Sequence, residues 1–215
     1  MRKPFSLTYV TYEEGDAVGL ACALLALAPV FIIVSYATLL VSRRDVHVAY
    51  VLVGQLANKA LNDALKAHFD EPRPAGSDHA GPGYPSDHSQ FMAFWACYAS
   101  LFLVVHVPRV GRAGWRPALG AATALLAAAV AASRVYLGYH SVDQVLAGLS
   151  FGAAFAACWF GAYAALLRPR LGPWVRGSAA CRYLLVRDCA HVADVVRAEY
   201  DAVMGLDHPK EKKGR

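Results

Sequence analysis

Three short segments of the chain concentrate ionisable and turn-forming residues, each at the end of an apolar run. The first is Lys66-Ala67-His68-Phe69-Asp70-Glu71-Pro72-Arg73-Pro74. The second is Tyr84-Pro85-Ser86-Asp87-His88-Ser89-Gln90, and the third runs from Ser133-Arg134 through His140 to Asp143. Lys66, Arg73 and Arg134 are cations, and the two guanidinium forks match phosphate oxygens. Pro85-Ser86-Asp87-His88 stands where a helix begins, and free backbone N–H groups at such a start favour an anion. His88 and His140 are imidazoles able to move protons or attack near neutral pH. Asp143, three residues after His140, is placed to accept from one ring nitrogen and leave the other free as a nucleophile. Together these residues suit chemistry on a phosphate group.

Each residue alone has a blander reading. A cation at the end of an apolar span also serves as a snorkelling anchor. His47, His68, His79 and His106 are read as structural. A divalent-metal site drawn from Asp70, Glu71, Asp78, His79, Asp87 and His88 is the weaker reading, because the cations already present would neutralise a phosphate. No metal and no other cofactor is therefore expected. The joint spacing of the three segments, not any one residue, carries the case.

The elements that must position these groups are apolar. Hydrophobic residues make up 57% of the 215-residue chain and charged residues 17%, against about a quarter charged in an average soluble domain. A disordered chain is excluded, and an ordinary soluble domain fits poorly. The five cysteines form no CxxC pair, which argues against a disulfide scaffold and a zinc module. The net charge is +5. The basic residues sit between apolar runs and form no stripe, so no nucleic-acid partner is expected.

Residues 17–41 carry no charge and exceed the roughly 20 that a hydrocarbon core requires. Glu13, Glu14 and Asp16 precede them, so the run reads as an uncleaved span, with a kink expected at Pro29. Further spans are expected at 91–107, 117–132 and 142–167, the last with a Gly148-x-x-x-Gly152 face for close helix contact. Residues 46–65 start apolar but then carry Asn58, Lys59, Asn62 and Asp63. They are read as a span with an inward polar face, the alternative being an interfacial helix. The fold class is thus an all-α, multi-pass membrane helix bundle of about five spans, or four.

This topology puts all three segments on one membrane face. Arg43, Arg44, Arg109, Arg112, Arg116, Arg168, Arg170 and Arg176 fall on the other. Arg2, Lys3, Lys66, Arg73 and Arg134 share the site's face. The excess makes the arginine-rich face cytosolic. Residues 1–167 form the membrane domain. Residues 168–215 are a polar, basic tail, with Pro169 and Pro173 closing the last span. An amphipathic tail helix is expected with Leu185, Cys189, Val192, Val196, Tyr200 and Val203 on one stripe, and 210–215 as a frayed end.

The pattern Lys-x6-Arg-Pro, then Pro-Ser-x-His, then Ser-Arg-x5-His resembles the three-part signature of the type 2 phosphatidic acid phosphatase superfamily. It is carried by Lys66…Arg73-Pro74, by Pro85-Ser86-Asp87-His88 and by Ser133-Arg134…His140. Asp87 departs from the small residue usual at the third place of the middle motif, and an acid there adds repulsion unless it points away. Within the superfamily the chain is most similar to the dolichyl-diphosphatase branch. That similarity extends to Ser6-Leu7-Thr8 through Gly15-Asp16, Pro29-Val30-Phe31, Glu71-Pro72-Arg73-Pro74, His88-Ser89-Gln90-Phe91-Met92, Ser133-Arg134-Val135-Tyr136-Leu137, Arg187-Asp188 and Glu199-Tyr200.

The resemblance implies a metal-independent hydrolase of dolichyl diphosphate, or a related polyprenyl diphosphate, working in the endoplasmic reticulum membrane with its site towards the lumen. It implies His140 as nucleophile, Asp143 as its orienting partner and His88 as general acid and then base. It implies Lys66, Arg73, Ser86, Asp87 and Arg134 as the substrate-binding set. The rivals are another lipid phosphatase of the superfamily and, from a different class, a non-catalytic membrane scaffold or channel.

Overall fold

The computed structural model of the protein describes residues 10–77, 79–106, 115–189, 192 and 195–205. Arg2, Lys3, Ser6-Leu7-Thr8, Asp78, Arg109, Arg112 and 210–215, all named above, lie outside the described residues. The helices in chain order are α1 (Ala17–Leu25), α2 (Ala28–Arg43), α3 (Val46–Phe69), α4 (Asp87–Val105), α5 (Trp115–Tyr136) and α6 (Val142–Ala162). A π-helical turn (Tyr163–Leu167) joins α6 to α7 (Arg168–Gly177), and α8 (Ala179–Tyr183) and α9 (Val195–Val203) follow. Among the described residues the only β-type pairing is an isolated bridge between Asp45 and Arg187.

Helix α4 is the centre of the bundle. One of its faces packs Phe94 and Tyr98 against Val51 of α3 and Ala156 and Phe160 of α6. The other packs Met92 and Ala96 against Ala127 and Val130 of α5. The α4–α6 seam is tight because Gly148 and Gly152 are glycines. A Cβ at Gly148 would stand 2.5 Å from the Ser86 carbonyl oxygen, and one at Gly152 would stand 3.0 Å from the Ala93 Cβ.

Four helical stretches are long and apolar enough to cross a membrane: Ala17–Arg43, Asp87–Val105, Trp115–Tyr136 and Val142–Gly177. The polar residues of α3 keep it out of that class, although its 24 residues would reach about 36 Å at ~1.5 Å each. Its polar side chains turn inward, as the sequence indicates. Gln55, Asn58 and Asn62 are fully buried. The Asn58 amide donates to the Gln90 carbonyl at 3.2 Å, and Gln90 returns a bond to Asn58 Oδ1 at 3.0 Å. Asn62 donates to Gln90 Oε1 at 2.9 Å. These bonds engage the Asn58 and Asn62 amide nitrogens, which would be costly to leave bare in an apolar interior, while Asn62 Oδ1 and Gln55 Oε1 are buried without a partner.

The first span breaks beside Pro29. Proline offers no N–H, and the Val30 N–H turns to the Leu27 carbonyl at 3.0 Å. The carbonyl of Ala26 is thereby released from the helical ladder.

Two expectations for the C-terminal part are corrected. The last span does not close at Pro169 and Pro173; the helix runs on to Gly177 through the π-helical turn. Pro169 sits in the first turn of α7, where a missing N–H is tolerated. The stripe from Leu185 to Val203 is not one helix. Leu185 has a φ of 56° and ends the helical path. Arg187 then pairs with the α2–α3 corner, accepting from the Val46 N–H and donating its own N–H to the Arg44 carbonyl, both at 3.0 Å. Glu199 of α9 ties the tail down through ion pairs with Arg43 and Arg187.

Candidate active site

The C-terminal ends of α3 and α5 and the N-terminal ends of α4 and α6 meet at one end of the bundle, and all three segments lie there. Local structure explains each placement. After α5 the chain turns at Gly138, whose φ of 71° suits a residue without a Cβ. The N–H groups of Tyr139 and His140 both donate to the Arg134 carbonyl, at 3.1 and 3.2 Å. His140 is thus folded back over the helix end that carries Arg134.

Helix α6 then starts with a capping box. The Ser141 hydroxyl accepts from the Gln144 N–H at 3.2 Å, and Gln144 Oε1 accepts from the Ser141 N–H at 3.4 Å. The same Oε1 lies 3.1 Å from Nδ1 of His140. On the other side of the ring, Nη1 of Arg73 lies 3.2 Å from Nε2 and also donates to the Tyr139 carbonyl at 3.1 Å. A guanidinium has no acceptor, so Nε2 presents its lone pair to Arg73. The ring proton therefore sits on Nδ1, where the Gln144 oxygen receives it.

Asp143 does not hold the place expected of it. It is exposed on the second position of α6, while the third position, Gln144, folds back towards the cap and the ring. The spacing Ser141-x-x-Gln144 is a capping-box signature readable in the sequence, and it was the signal for Gln144.

Arg134 is 3% exposed. Its guanidinium carbon stands 4.4 Å over the Tyr139 ring. The hydroxyl of that tyrosine accepts from the Thr11 N–H at 2.7 Å, which ties the ring to the segment before α1. Nε and Nη1 of Arg134 and Nε of Arg73 are buried donors without a protein acceptor. Buried donors of this kind fit an anion with several oxygens. Lys66, half-buried in the last turn of α3, adds a third charge within electrostatic reach of Arg73 and Asp87.

The middle segment caps α4. The N–H of Ser86 donates to the Gln144 carbonyl at 2.9 Å, so this group, expected among the phosphate donors, is engaged in holding α4 to α6. The Ser86 hydroxyl accepts from the Ser89 hydroxyl at 3.0 Å and keeps its own proton to give. Asp87 opens α4 with a carboxylate oxygen 3.8 Å from Nζ of Lys59 on α3. That cation offsets the charge the sequence set beside the site.

His88 Nε2 lies 3.1 Å from the Ala26 carbonyl released at the α1–α2 break. A carbonyl only accepts, so Nε2 carries a proton and Nδ1 is the nitrogen open to exchange. No local pattern signals this partner 62 positions away.

Burial pushes the His140 ring down to about 3, with the charges of Arg73, Arg134 and Lys66 acting in the same direction against the Gln144 hydrogen bond. It is neutral at physiological pH and keeps its Nε2 lone pair. Of the other histidines, His47 stacks on Phe102 with centroids 4.5 Å apart and His106 lies against Phe160 at 5.4 Å, both at the far end. His79 packs edge-on against Tyr139 at 4.6 Å, beside the site.

A family model described as PAP2 superfamily matches residues 47–168, which include all three segments. The chain is 34% identical over 220 residues to Dolichyldiphosphatase 1 of Homo sapiens, covering 98% of this chain and 92% of that protein. It is 34% identical over 212 residues to Lipid phosphate phosphatase gamma of Arabidopsis thaliana, covering 93% of this chain and 90% of that protein. In fold it is similar to a transmembrane PAP2-type phosphatidylglycerolphosphate phosphatase of Bacillus subtilis, with a TM-score of 0.62 at 23% identity, over 73% of this chain and 82% of that one.

Proposed function

The chain belongs to the PAP2 superfamily, and we propose that within it the protein hydrolyses dolichyl diphosphate to dolichyl phosphate and inorganic phosphate. The observation that carries the reading is the neutral His140 ring, with its Nε2 lone pair beside Arg73 and its Nδ1–H on Gln144. That is the state a histidine needs to attack phosphorus.

Nε2 of His140 attacks the terminal phosphorus, and the bond from that phosphorus to the bridging oxygen breaks. The leaving lipid phosphate takes a proton from Nδ1 of His88, which enters this step protonated on both nitrogens, its Nε2–H staying on the Ala26 carbonyl. Water then attacks the phosphohistidine as His88 receives its proton at Nδ1. The P–N bond breaks, inorganic phosphate leaves and His140 returns to its first state. Arg73, Arg134 and Lys66 hold the phosphoryl oxygens, and the N–H groups that open α4 add donors. Phosphoryl transfer depends chiefly on such positioning and charge, so no metal step is included. The Ser86 hydroxyl contributes a donor; Asp87 acts through Lys59 and the helix start rather than on phosphate.

The substrate assignment is supported by the 34% identity to Dolichyldiphosphatase 1 over nearly the whole chain. It is also supported by an apolar groove of about 470 Å³ between α2, α3 and α4, lined by Val30, Ile33, Leu56 and Phe91 and ending on His88. The arginines at the opposite end (Arg43, Arg44, Arg116, Arg168, Arg170 and Arg176) favour that end as cytosolic. The site then faces the lumen of the endoplasmic reticulum, where dolichyl phosphate would return to protein N-glycosylation. A broader action on lipid phosphates is the second reading, favoured by the equal identity to Lipid phosphate phosphatase gamma.

The test is phosphate release by the purified full chain, with EDTA present, from dolichyl diphosphate, dolichyl phosphate and phosphatidate. Preference for the diphosphate supports the first reading, and equal turnover of phosphatidate supports the second. No release from a folded sample would overturn both and favour a scaffold.

A further inference from the structure

We propose that Glu71 is a positioning residue for this reaction, acting on His140 through the side-chain amide of Gln144. The inference rests on His140 as the nucleophile. It adds a carboxylate that lies outside the three-part motif and does not touch the ring itself.

The amide of Gln144 has a determined sense. Its Nε2 donates to the Pro72 carbonyl at 2.8 Å and to Glu71 Oε1 at 3.0 Å. Both partners are acceptors, so the nitrogen faces them and the oxygen faces His140 Nδ1 at 3.1 Å. The sequence Glu71-Pro72-Arg73 therefore grips the His140–Gln144 pair from both ends. Arg73 meets Nε2 of the ring, while Glu71 and Pro72 meet the amide that holds Nδ1.

Two further features keep the grip in register. The Gly83 N–H donates to the Glu71 carbonyl at 2.7 Å. A Cβ on Gly83 would stand 2.6 Å from Gln144 Oε1 and 2.7 Å from its Nε2. Only glycine lets the loop close over this amide. Gln144 is 2% exposed, so it has little room to yield.

The chemistry gives the arrangement a purpose. When Nε2 becomes bonded to phosphorus, the ring carries a positive charge while its Nδ1–H is retained. Gln144 is neutral and offers only a dipole. The carboxylate of Glu71, one amide further out, polarises that dipole towards the ring and supplies the negative charge. Glu71 stands at the exposed rim, and the chain it begins runs inward through the buried Gln144 amide to the buried ring, where linked hydrogen bonds polarise one another.

The experiment compares Glu71→Ala, Glu71→Gln, Gly83→Ala, Gln144→Ala and the double variant Glu71→Ala/Gln144→Ala in the full chain. Each is assayed on whichever lipid phosphate the unmodified protein turns over. Glu71→Ala is expected to lower kcat about tenfold to a hundredfold with KM nearly unchanged. Glu71→Gln, which keeps an accepting oxygen without the charge, is expected to recover part of that loss. Gly83→Ala is expected to mimic Glu71→Ala, and the double variant to be no slower than Gln144→Ala. Full kcat in Glu71→Ala, or losses that multiply in the double variant, would overturn the proposal.

The NMR shifts of the His140 ring read the same relay without any substrate. Arg73 holds the Nδ1–H tautomer in every variant that keeps it, so the expected change in Glu71→Ala is an upfield shift of the Nδ1–H proton as its hydrogen bond to Gln144 weakens; an unchanged Nδ1–H shift overturns the relay. An unmodified chain with the expected tautomer but no phosphate release would count against the hydrolase reading instead.

Discussion

Nη1 of Arg73 lies 3.2 Å from Nε2 of His140, and that contact settles which ring nitrogen holds the lone pair. The guanidinium can only donate. Under the proposed mechanism, the contact also puts a cation where the terminal phosphoryl group would sit during attack. Arg73 is thus expected to bind the group and to stand aside as the Nε2–P bond forms.

Replacing the nucleophile tests the core of the mechanism. His140→Ala is expected to lower kcat at least about a thousandfold, with the protein still folded. His88→Asn is expected to differ in kind: under the proposed mechanism the lipid phosphate can leave as an anion without its proton, whereas the water of the second step still needs His88 as base. Acid-labile phosphohistidine should accumulate in it and be visible after a rapid quench with ³²P-labelled substrate. Substantial turnover by His140→Ala would remove the phosphohistidine from the scheme.

The pH dependence follows from the ring's environment. Burial, then the Arg73 charge, hold His140 down at about 3. The acid limb of kcat/KM should therefore not belong to His140. Arg73→Gln removes one depressing charge, so any His140 limb should move up towards neutrality while the maximal rate falls. The linked stability has a definite sign. In the unfolded chain the ring binds a proton below about 6.5, and in the folded chain it does so only near 3. The unfolded state binds more protons between those values, so stability is lost as pH falls from 6.5 towards 3. Thermal unfolding in detergent across that window, compared with His140→Ala, measures this contribution.

Arg134→Lys separates charge from geometry. A lysine would keep the positive charge but not the fork whose Nε and Nη1 are buried without a protein partner. A loss in kcat of about a hundredfold is expected. Tyr139→Phe keeps the ring under Arg134 and loses the bonds to Thr11. Its effect should be several times smaller. Equal rates for Arg134→Lys and the unmodified protein would show that a point charge suffices.

The sequence made much of this legible, for physical reasons that differ by element. The apolar runs of α2, α4, α5 and α6 announce themselves because lipid demands long uncharged helices. The inward face of α3 was readable because Asn58 and Asn62 recur on one side of a helix and find Gln90. The cations and histidines stood out because they gather at helix ends. Asp143 was misplaced for a local reason. Its distance from His140 in sequence suited a partner, but the capping box turns the next side chain, Gln144, back to the ring. The Ala26 carbonyl on His88 had no signal at all, because it depends on how a break near Pro29 meets a helix far along the chain. The tail stripe holds only in its second half, where Val196, Tyr200 and Val203 lie on α9; at its start the chain pairs Arg187 with the α2–α3 corner instead of coiling.

Asp143 and Gln144 can be told apart directly. Asp143→Asn removes a charge from the exposed first turn of α6. It should cost well under about 1 kcal/mol of stability and leave kcat within about threefold. Gln144→Leu deletes the acceptor for Nδ1 and the bonds to Glu71 and Pro72. Its kcat should fall at least about tenfold more than that of Asp143→Asn. The reverse order would restore Asp143 as the orienting residue.

The seam between α4 and α6 makes a last prediction, because it links packing to chemistry. Gly148 faces the Ser86 carbonyl, and an added Cβ would approach it to 2.5 Å and the Gln90 nitrogen to 3.2 Å. Both neighbours are backbone atoms, so neither can swing aside. Gly148→Ala must therefore move the start of α4 away from α6, and strain of this kind costs about 1–3 kcal/mol. Ser86 directly precedes Asp87 and His88, and its N–H is bonded to the Gln144 carbonyl at 2.9 Å. The shift thus separates His88 from His140, and kcat should fall with the melting temperature. Gly161, on the same helix, has nothing within 4 Å of its virtual Cβ. Gly161→Ala should leave kcat unchanged and hold or raise the melting temperature, since alanine favours a helix by about 1 kcal/mol over glycine. If Gly148→Ala behaved like Gly161→Ala, the close approach at the seam would not be what sets the distance between the two histidines.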